Sequence, residues 1–395
     1  MPGVGYTLAF MSTKAIAGTR GPAVRYDCYV EADAAGRPGV EVSSRVEAFY
    51  GDSIRSLIGE GLEALGATNL AVRVEDSGAL PFTMMARLET AVRRLRGEGA
   101  PQWLPPRISA AAPTGERHRL RRSLLFVPGN TPRFFHNAGL HQPDAVILDL
   151  EDSVAAAEKD AARVLVRNAL RAVSFCGAET MVRINPLPLG IEDVKMLVPH
   201  APQALVLPKI QGPEEVRAVD ALCREMGGRI WLVPMIESAR AAARALEIAE
   251  ATPSVAGLAI GLEDYTRDIG AEKTAHGEEI AWVLGQVVNA ARAAGVQPLG
   301  PVYTDLEDLE GLRAHARRAR TMGFEGVLAI HPLHVRGIHE GFTPQAAEVE
   351  RARRIVEAFR DAEARGLAAV AVDGEMIDPP VVARAERVLR RAVPR

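Results

Sequence analysis

From Ser123 onward the chain repeats one unit, a short apolar run followed by an Ala/Leu/Arg/Glu-rich stretch of helical period. The runs are Ser123–Val127, Ala145–Leu150, Thr180–Ile184, Ala204–Leu207, Ile230–Ile236, Val255–Ile260, Gln297–Gly300 and Gly326–Ile330. Near-continuous apolar runs of this length read as strands buried on both faces, which parallel sheets require. The stretches between them, such as Ala157–Val173, Glu214–Met226, Ser238–Ala251 and Leu306–Met322, supply the crossover helices. Eight strands alternating with helices point to a (β/α)8 barrel. A doubly wound open sheet is the alternative, but no GxGxxG follows the first run.

The rest of the 395 residues is organised around that block. A stretch at 97–119 with prolines at 101, 105, 106 and 113 breaks the periodicity, and proline-rich chain is extended and semi-rigid. The expected division is therefore a domain at 1–100, a linker at 101–119, a barrel at 120–340 and a C-terminal segment at 341–395. The first domain has strand-like runs at Val24–Ala32, Gly39–Ser43 and Asn69–Glu75, with helical patterns at Phe49–Leu65 and Phe82–Leu95, the signature of a small α/β fold. It contains no histidine and no evident nucleophile cluster. Two helices, Pro344–Arg365 and Pro380–Ala392, follow the barrel.

Charge and cysteine content exclude several classes. With 47 basic against 50 acidic residues, the chain lacks the basic footprint of a nucleic-acid binder. Its 3 cysteines are scattered, with no CxxC, so neither a disulfide framework nor a thiolate zinc site is expected. No apolar run approaches the ~20 residues needed to span a bilayer, and the first residues lack a basic n-region. A cytoplasmic enzyme with no membrane partner is the expectation.

Barrel enzymes carry their chemistry at the C-terminal ends of the strands. Here those ends hold Asp149, Glu151 and Asp152 on the second strand, Arg183 and Asn185 on the third and Lys209 on the fourth. Glu237 closes the fifth, Glu263 and Asp264 the sixth, and His331 the eighth. Adjacent strands lie ~4.8 Å apart, so Glu237 and Asp264 can share a hard cation such as Mg2+, which takes one or two carboxylates plus waters and substrate oxygens. Either residue taken singly reads as a helix cap; the pair, with Arg183 opposite, tilts the reading toward a metal. Arg183 can bind a substrate carboxylate through its planar fork, or a neighbouring carboxylate of the LDLEDS run. Lys209 is a Schiff-base candidate or an ion-pair partner. His331 is a base, a phosphate contact or a satisfied polar group.

These segments are also recognisable. RRSLLFVPGN (121–130), DAVILDLEDSVAAAEKDAAR (144–163), VRINPL (182–187), LVLPKI (205–210), PMIESAR (234–240), GLAIGLEDYTRDIGA (257–271), GPVYTD (300–305), GFEGVLAIHPLHV (323–335) and DGEMIDPPVVARA (373–385) resemble the citrate lyase beta-subunit family of the HpcH/HpaI aldolase superfamily. The match runs in order through nearly all of 120–392. The first domain resembles the citrate lyase gamma subunit, an acyl carrier protein, through AIAGTRGPAV (15–24), SSRVEAFYGDSIRSLI (43–58) and VRVEDSGALPFTMMARLETAV (72–92).

The resemblance implies a Mg2+-dependent carbon–carbon lyase acting on a 3-hydroxyacyl-CoA (citryl-, citramalyl- or malyl-CoA) and releasing acetyl-CoA and a 2-oxo acid. A CoA thioesterase or synthase on the same barrel is one alternative; a lyase subunit of a multi-subunit citrate lyase, with the first domain as a docking module, is the other. It assigns Glu237 and Asp264 to the metal and Arg183 to the oxo-acid. Asp378 of the GEMID stretch becomes the acid/base, reaching a neighbouring subunit's barrel. Asp149, Glu151, Asp152, Lys209 and His331 become supporting residues. A homotrimer or homohexamer follows, with a CoA-transferase-like subunit as a further candidate partner. One departure stands out: where the carrier family attaches its prosthetic group to a serine after AGT, this chain aligns Pro22, so no covalent prosthetic group is expected and free CoA thioesters become the expected substrates.

Overall fold

The computed structural model describes residues 12–97, 99–108, 115–274 and 276–392. The N-terminal domain comprises β1 (Lys14–Gly18), β2 (Cys28–Asp33), β3 (Gly39–Ser44), α1 (Glu47–Ala64), β4 (Ala71–Asp76) and α2 (Pro81–Arg96). Its sheet has the order β1-β2-β4-β3, with β3 and β4 parallel and the other pairs antiparallel. Ile54, Ile58 and Leu62 of α1 pack with Val30, Val72 and Val74 of the sheet to form the core. Strand β1 spans KAIAG, where only Ala17 is buried, so it has no apolar period to announce it. β2 begins at Cys28 rather than Val24, because Tyr26 takes a left-handed φ of 60° and turns the chain.

Eight parallel strands follow: β5 (Ser123–Pro128), β6 (Ala145–Asp149), β7 (Glu179–Arg183), β8 (Ala204–Leu207), β9 (Trp231–Ile236), β10 (Gly257–Ile260), β11 (Gln297–Gly300) and β12 (Gly326–Ala329). They close into a barrel in the order β10-β11-β12-β5-β6-β7-β8-β9, as the alternation of the sequence anticipates. Leu124, Ile147, Met181, Val206, Val233, Met235, Ala259 and Leu328 fill the interior. The strands' alternate residues pack outward against the ring of helices.

Residues 101–108 form no regular element, yet they are not a free spacer. The Trp103 N–H donates to the Glu89 carboxylate at 3.1 Å, Arg107 to the Pro199 carbonyl at 2.9 Å and the Ile108 N–H to the Arg171 carbonyl at 3.0 Å. The chain is laid against the barrel's helices.

After the barrel come a helix at His334–Phe342, a longer one at Ala346–Ala364, a hairpin of β13 (Val370–Val372) and β14 (Glu375–Ile377), and a last helix at Pro379–Ala392. The hairpin turns on Asp373-Gly374, both at positive φ, the Asp-Gly signature of a tight two-residue turn. Ile355, Val356, Ile377 and Ala385 form a small core separate from the barrel's.

Candidate active site

Period-two alternation selects which side chains reach the mouth of the barrel. In β6 the inward row is Ala145, Ile147 and then Asp149; in β7 it is Met181 and then Arg183; in β9 it is Val233, Met235 and then Glu237. Each polar group is thus the topmost member of a row whose lower members are apolar core. Pairing of Asp149 with Arg183 in the β6–β7 register sets the first two side by side. The three line one cavity of about 410 Å3 together with Asp152, Asp264, Phe126, Pro128 and Gly261.

Arg183 is held in place on three sides. Its Nε and Nη2 donate to the two Asp149 carboxylate oxygens at 2.6 and 2.7 Å, Glu151 lies 3.2 Å from Nη1, and the Phe126 ring sits 4.7 Å beneath the guanidinium. Asp149 in turn accepts N–H bonds from Glu151 and Ser153. Burial alone would raise the Asp149 carboxyl, but the Arg183 guanidinium outweighs it and holds the group below the ordinary value. The fork is thereby fixed in plane, and only the terminal N–H groups engaged by neither Asp149 nor Glu151 remain for a substrate oxygen.

Glu237 is 5% exposed. One carboxylate oxygen accepts the Lys209 N–H at 2.6 Å. The other lies over Gly261, where a β-carbon would come within 2.5 Å of it, so this glycine is needed for its missing side chain. Burial raises the Glu237 carboxyl to about 7, and the Asp264 charge nearby adds to the rise. Asp264, in the first turn of the helix at Leu262–Asp268, pairs with Arg267. Two carboxylates lining one cavity that also presents a guanidinium form a hard-oxygen donor set that fits a divalent cation. Among the described residues no three His, Cys, Asp or Glu side chains converge on one point, so the protein alone supplies an incomplete shell. Mg2+ suits such a site because it retains waters and takes substrate oxygens.

Lys209 bonds Glu151 and lies 3.1 Å from Asp152. Burial would lower its ammonium, but the two carboxylates outweigh that and raise it above the ordinary lysine value. A protonated amine clamped in this way is a poor nucleophile, which favours the ion-pair role over a Schiff base. His331 follows the inward-facing Ile330 and so falls outside the row. It lines a neighbouring cavity of about 350 Å3 with Phe134, His141 and Pro332, not the one holding Glu237. Asp378 lines neither cavity; its carboxylate caps the last helix, accepting the Val381 N–H at 3.2 Å. Sequence reasoning passed over Gly261, Phe126 and Pro128. Inward parity, extended one step up β5 and β10, identifies all three.

Comparison with known proteins gives a consistent result. The family described as HpcH/HpaI aldolase/citrate lyase matches residues 122–332, and that described as the malonate decarboxylase delta subunit, an acyl carrier protein, matches 12–95. The chain is 36% identical over 283 residues to citrate lyase subunit beta of Haemophilus influenzae, covering 69% of this chain and 97% of that protein. It is 30% identical over 320 residues to mouse mitochondrial citramalyl-CoA lyase, covering 76% and 94%. A crystal structure of the protein CitE from Mycobacterium tuberculosis, in complex with magnesium, acetoacetate and coenzyme A, aligns at 32% identity with a TM-score of 0.61, over 70% of this chain and 99% of that one.

Proposed function

The chain belongs to the HpcH/HpaI aldolase/citrate lyase family, and from that premise we propose that it is a Mg2+-dependent lyase cleaving a 3-hydroxyacyl-CoA to acetyl-CoA and a 2-oxo acid. The observation that carries the reading is the convergence of Glu237, Asp264 and Arg183 on one cavity at the C-terminal mouth of the barrel.

Glu237 and Asp264 would hold the metal, which when bound supplies Lewis-acid charge at the oxygen that becomes the oxo-acid carbonyl. Arg183 directs N–H groups at the same end of the substrate, where the hydroxyl oxygen carries negative charge once its proton has passed to water; that charge moves to the thioester carbon as the carbon–carbon bond breaks. Because Asp149 already fixes the guanidinium, no reorganisation is required at that moment. Phe126, Met235, Leu328 and Ile330 make the remaining wall apolar and strengthen these interactions by excluding water. The departing acetyl-CoA carbanion needs a proton. We assign that transfer to Asp378 supplied by a neighbouring subunit, consistent with its lying outside the cavity of its own chain. The corresponding assembly is a homotrimer or homohexamer. Among the described residues no helix is long and apolar enough to cross a membrane.

The test is turnover of citryl-, citramalyl- and malyl-CoA by purified protein with and without Mg2+, with both the 2-oxo acid and free thiol followed. Release of acetyl-CoA and an oxo-acid in equal amounts is the expected result. Full activity in chelator-treated protein rejects the metal, and thiol release without oxo-acid makes the protein a thioesterase.

A further inference from the structure

The N-terminal domain is joined to the barrel by a shared helix. Along α2 every residue from Phe82 to Val92 is buried. Met84, Met85, Leu88, Ala91 and Val92 belong to the N-terminal core, whereas Phe82 and Ala86 belong to the barrel's. The seam is locked by charge. Glu89 of α2 accepts two bonds at 2.8 and 2.7 Å from Arg167 in the barrel helix Lys159–Ala172, and both side chains are fully buried. Asn168 of that helix donates to the Phe82 carbonyl at 3.1 Å. Arg94 reaches Asp160 at 2.6 Å. A helix serving two cores cannot swing, whereas a carrier domain that delivers a tethered acyl group must move.

One contact of this seam reaches the site. Arg87 grips Asp27 with two bonds at 2.9 and 3.0 Å, and its Nη2 also donates to the Asn130 carbonyl at 3.1 Å. Asp27 is held from its other side by Thr19 of the AGT stretch at 2.8 Å. Asn130 lies in the loop after β5. Beside it, the Gly129 N–H donates to the Asp149 carbonyl at 2.8 Å, and a β-carbon on Gly129 would lie 2.5 Å from that oxygen. Asp149 carries Arg183, and Pro128, the last residue of β5 before this loop, lines both cavities. A chain of direct contacts thus runs from Thr19 through Asp27, Arg87 and the loop to Asp149 and Arg183.

We propose that the N-terminal domain is a fixed clamp on the loop after β5, with Arg87 as a positioning residue for the cavity, in place of a carrier's mobile delivery. The catalytic half of this inference rests on the lyase reading above; the structural half stands apart from it. Arg87→Lys keeps the charge but loses the fork that spans Asp27 and Asn130. The double variant Asp27→Asn with Arg87→Met removes the buried pair together, so that no lone charge remains to unfold the domain.

The test is amide hydrogen exchange and steady-state kinetics on the full-length variants. Exchange at residues 129–134 should speed up about tenfold, with β2 and β4 remaining protected. kcat/KM should fall by about 10- to 100-fold, mostly in kcat, as expected for a misplaced loop. Unchanged loop exchange in a folded variant, equal loss of protection throughout β2 and β4, or full kcat/KM with a loosened loop would each overturn the proposal. If the wild type turns over none of the three thioesters, the lyase reading fails while the exchange data still decide the clamp.

Discussion

Replacing Glu237 by Gln separates the site's chemistry from its architecture. Gln keeps the size of the side chain and an oxygen that can accept the Lys209 N–H, now made at 2.6 Å, but it cannot ionise. In the metal-free protein, burial displaces the Glu237 carboxyl from 4.5 to about 7. The folded state therefore binds the proton more tightly than the unfolded chain does. Stability associated with this group is fully present below pH 4.5 and is lost as pH rises toward 7. The displacement corresponds to about 3 kcal/mol. Denaturant melts in chelator at pH 5 and pH 8 should show a loss of that order in the wild type and a much smaller one in Glu237→Gln, leaving the variant the more stable of the two at pH 8. Adding Mg2+ at pH 8 should restore the wild type by about 2.7 kcal/mol at a hundredfold excess over its dissociation constant, and do nothing for the variant. Turnover should vanish. Parallel pH dependence in the two proteins, or equal stabilisation by Mg2+, would refute the reasoning.

Gly261→Ala should abolish Mg2+-dependent turnover without touching an ionisable group, since its methyl meets the Glu237 carboxylate at 2.5 Å; isothermal titration with Mg2+ checks the cause, and retained affinity would contradict it. Glu89→Ala strands the fully buried Arg167 and should cost about 3 to 5 kcal/mol in a chemical melt, against almost nothing if the domains were only loosely tethered. Mixing inactive Asp378→Asn protein with inactive Glu237→Gln protein, under conditions where subunits exchange, should regenerate activity; none would return if each site drew on a single chain. Intact-mass measurement of protein from its native host should give the unmodified chain mass, because Pro22 offers no hydroxyl for a phosphodiester; an added phosphoribosyl-dephospho-CoA mass would reverse that.

Much of the barrel is legible without coordinates because its periodicities are local. A residue's place in a two-residue alternation sends Asp149, Arg183 and Glu237 inward, and their place at the end of an apolar run puts them at the mouth. The same rule explains His331: one step past the inward Ile330, it falls to the neighbouring cavity. Strand β1 carries no readable period because only one of its residues is buried, and the β13–β14 hairpin shows none because its strands are three residues each. Tertiary structure alone decides the rest. Glu89 and Arg167 are 78 positions apart, and no period relates residues at that separation; α2 shows an apolar pattern but not that two cores share it. Nor does an Arg in a helix reveal that its fork spans Asp27 and a carbonyl of the barrel's first loop. Asp378 marks the limit of the single chain: its own fold uses the carboxylate as a helix cap, and the acid/base role we propose for it would need the cavity of another subunit.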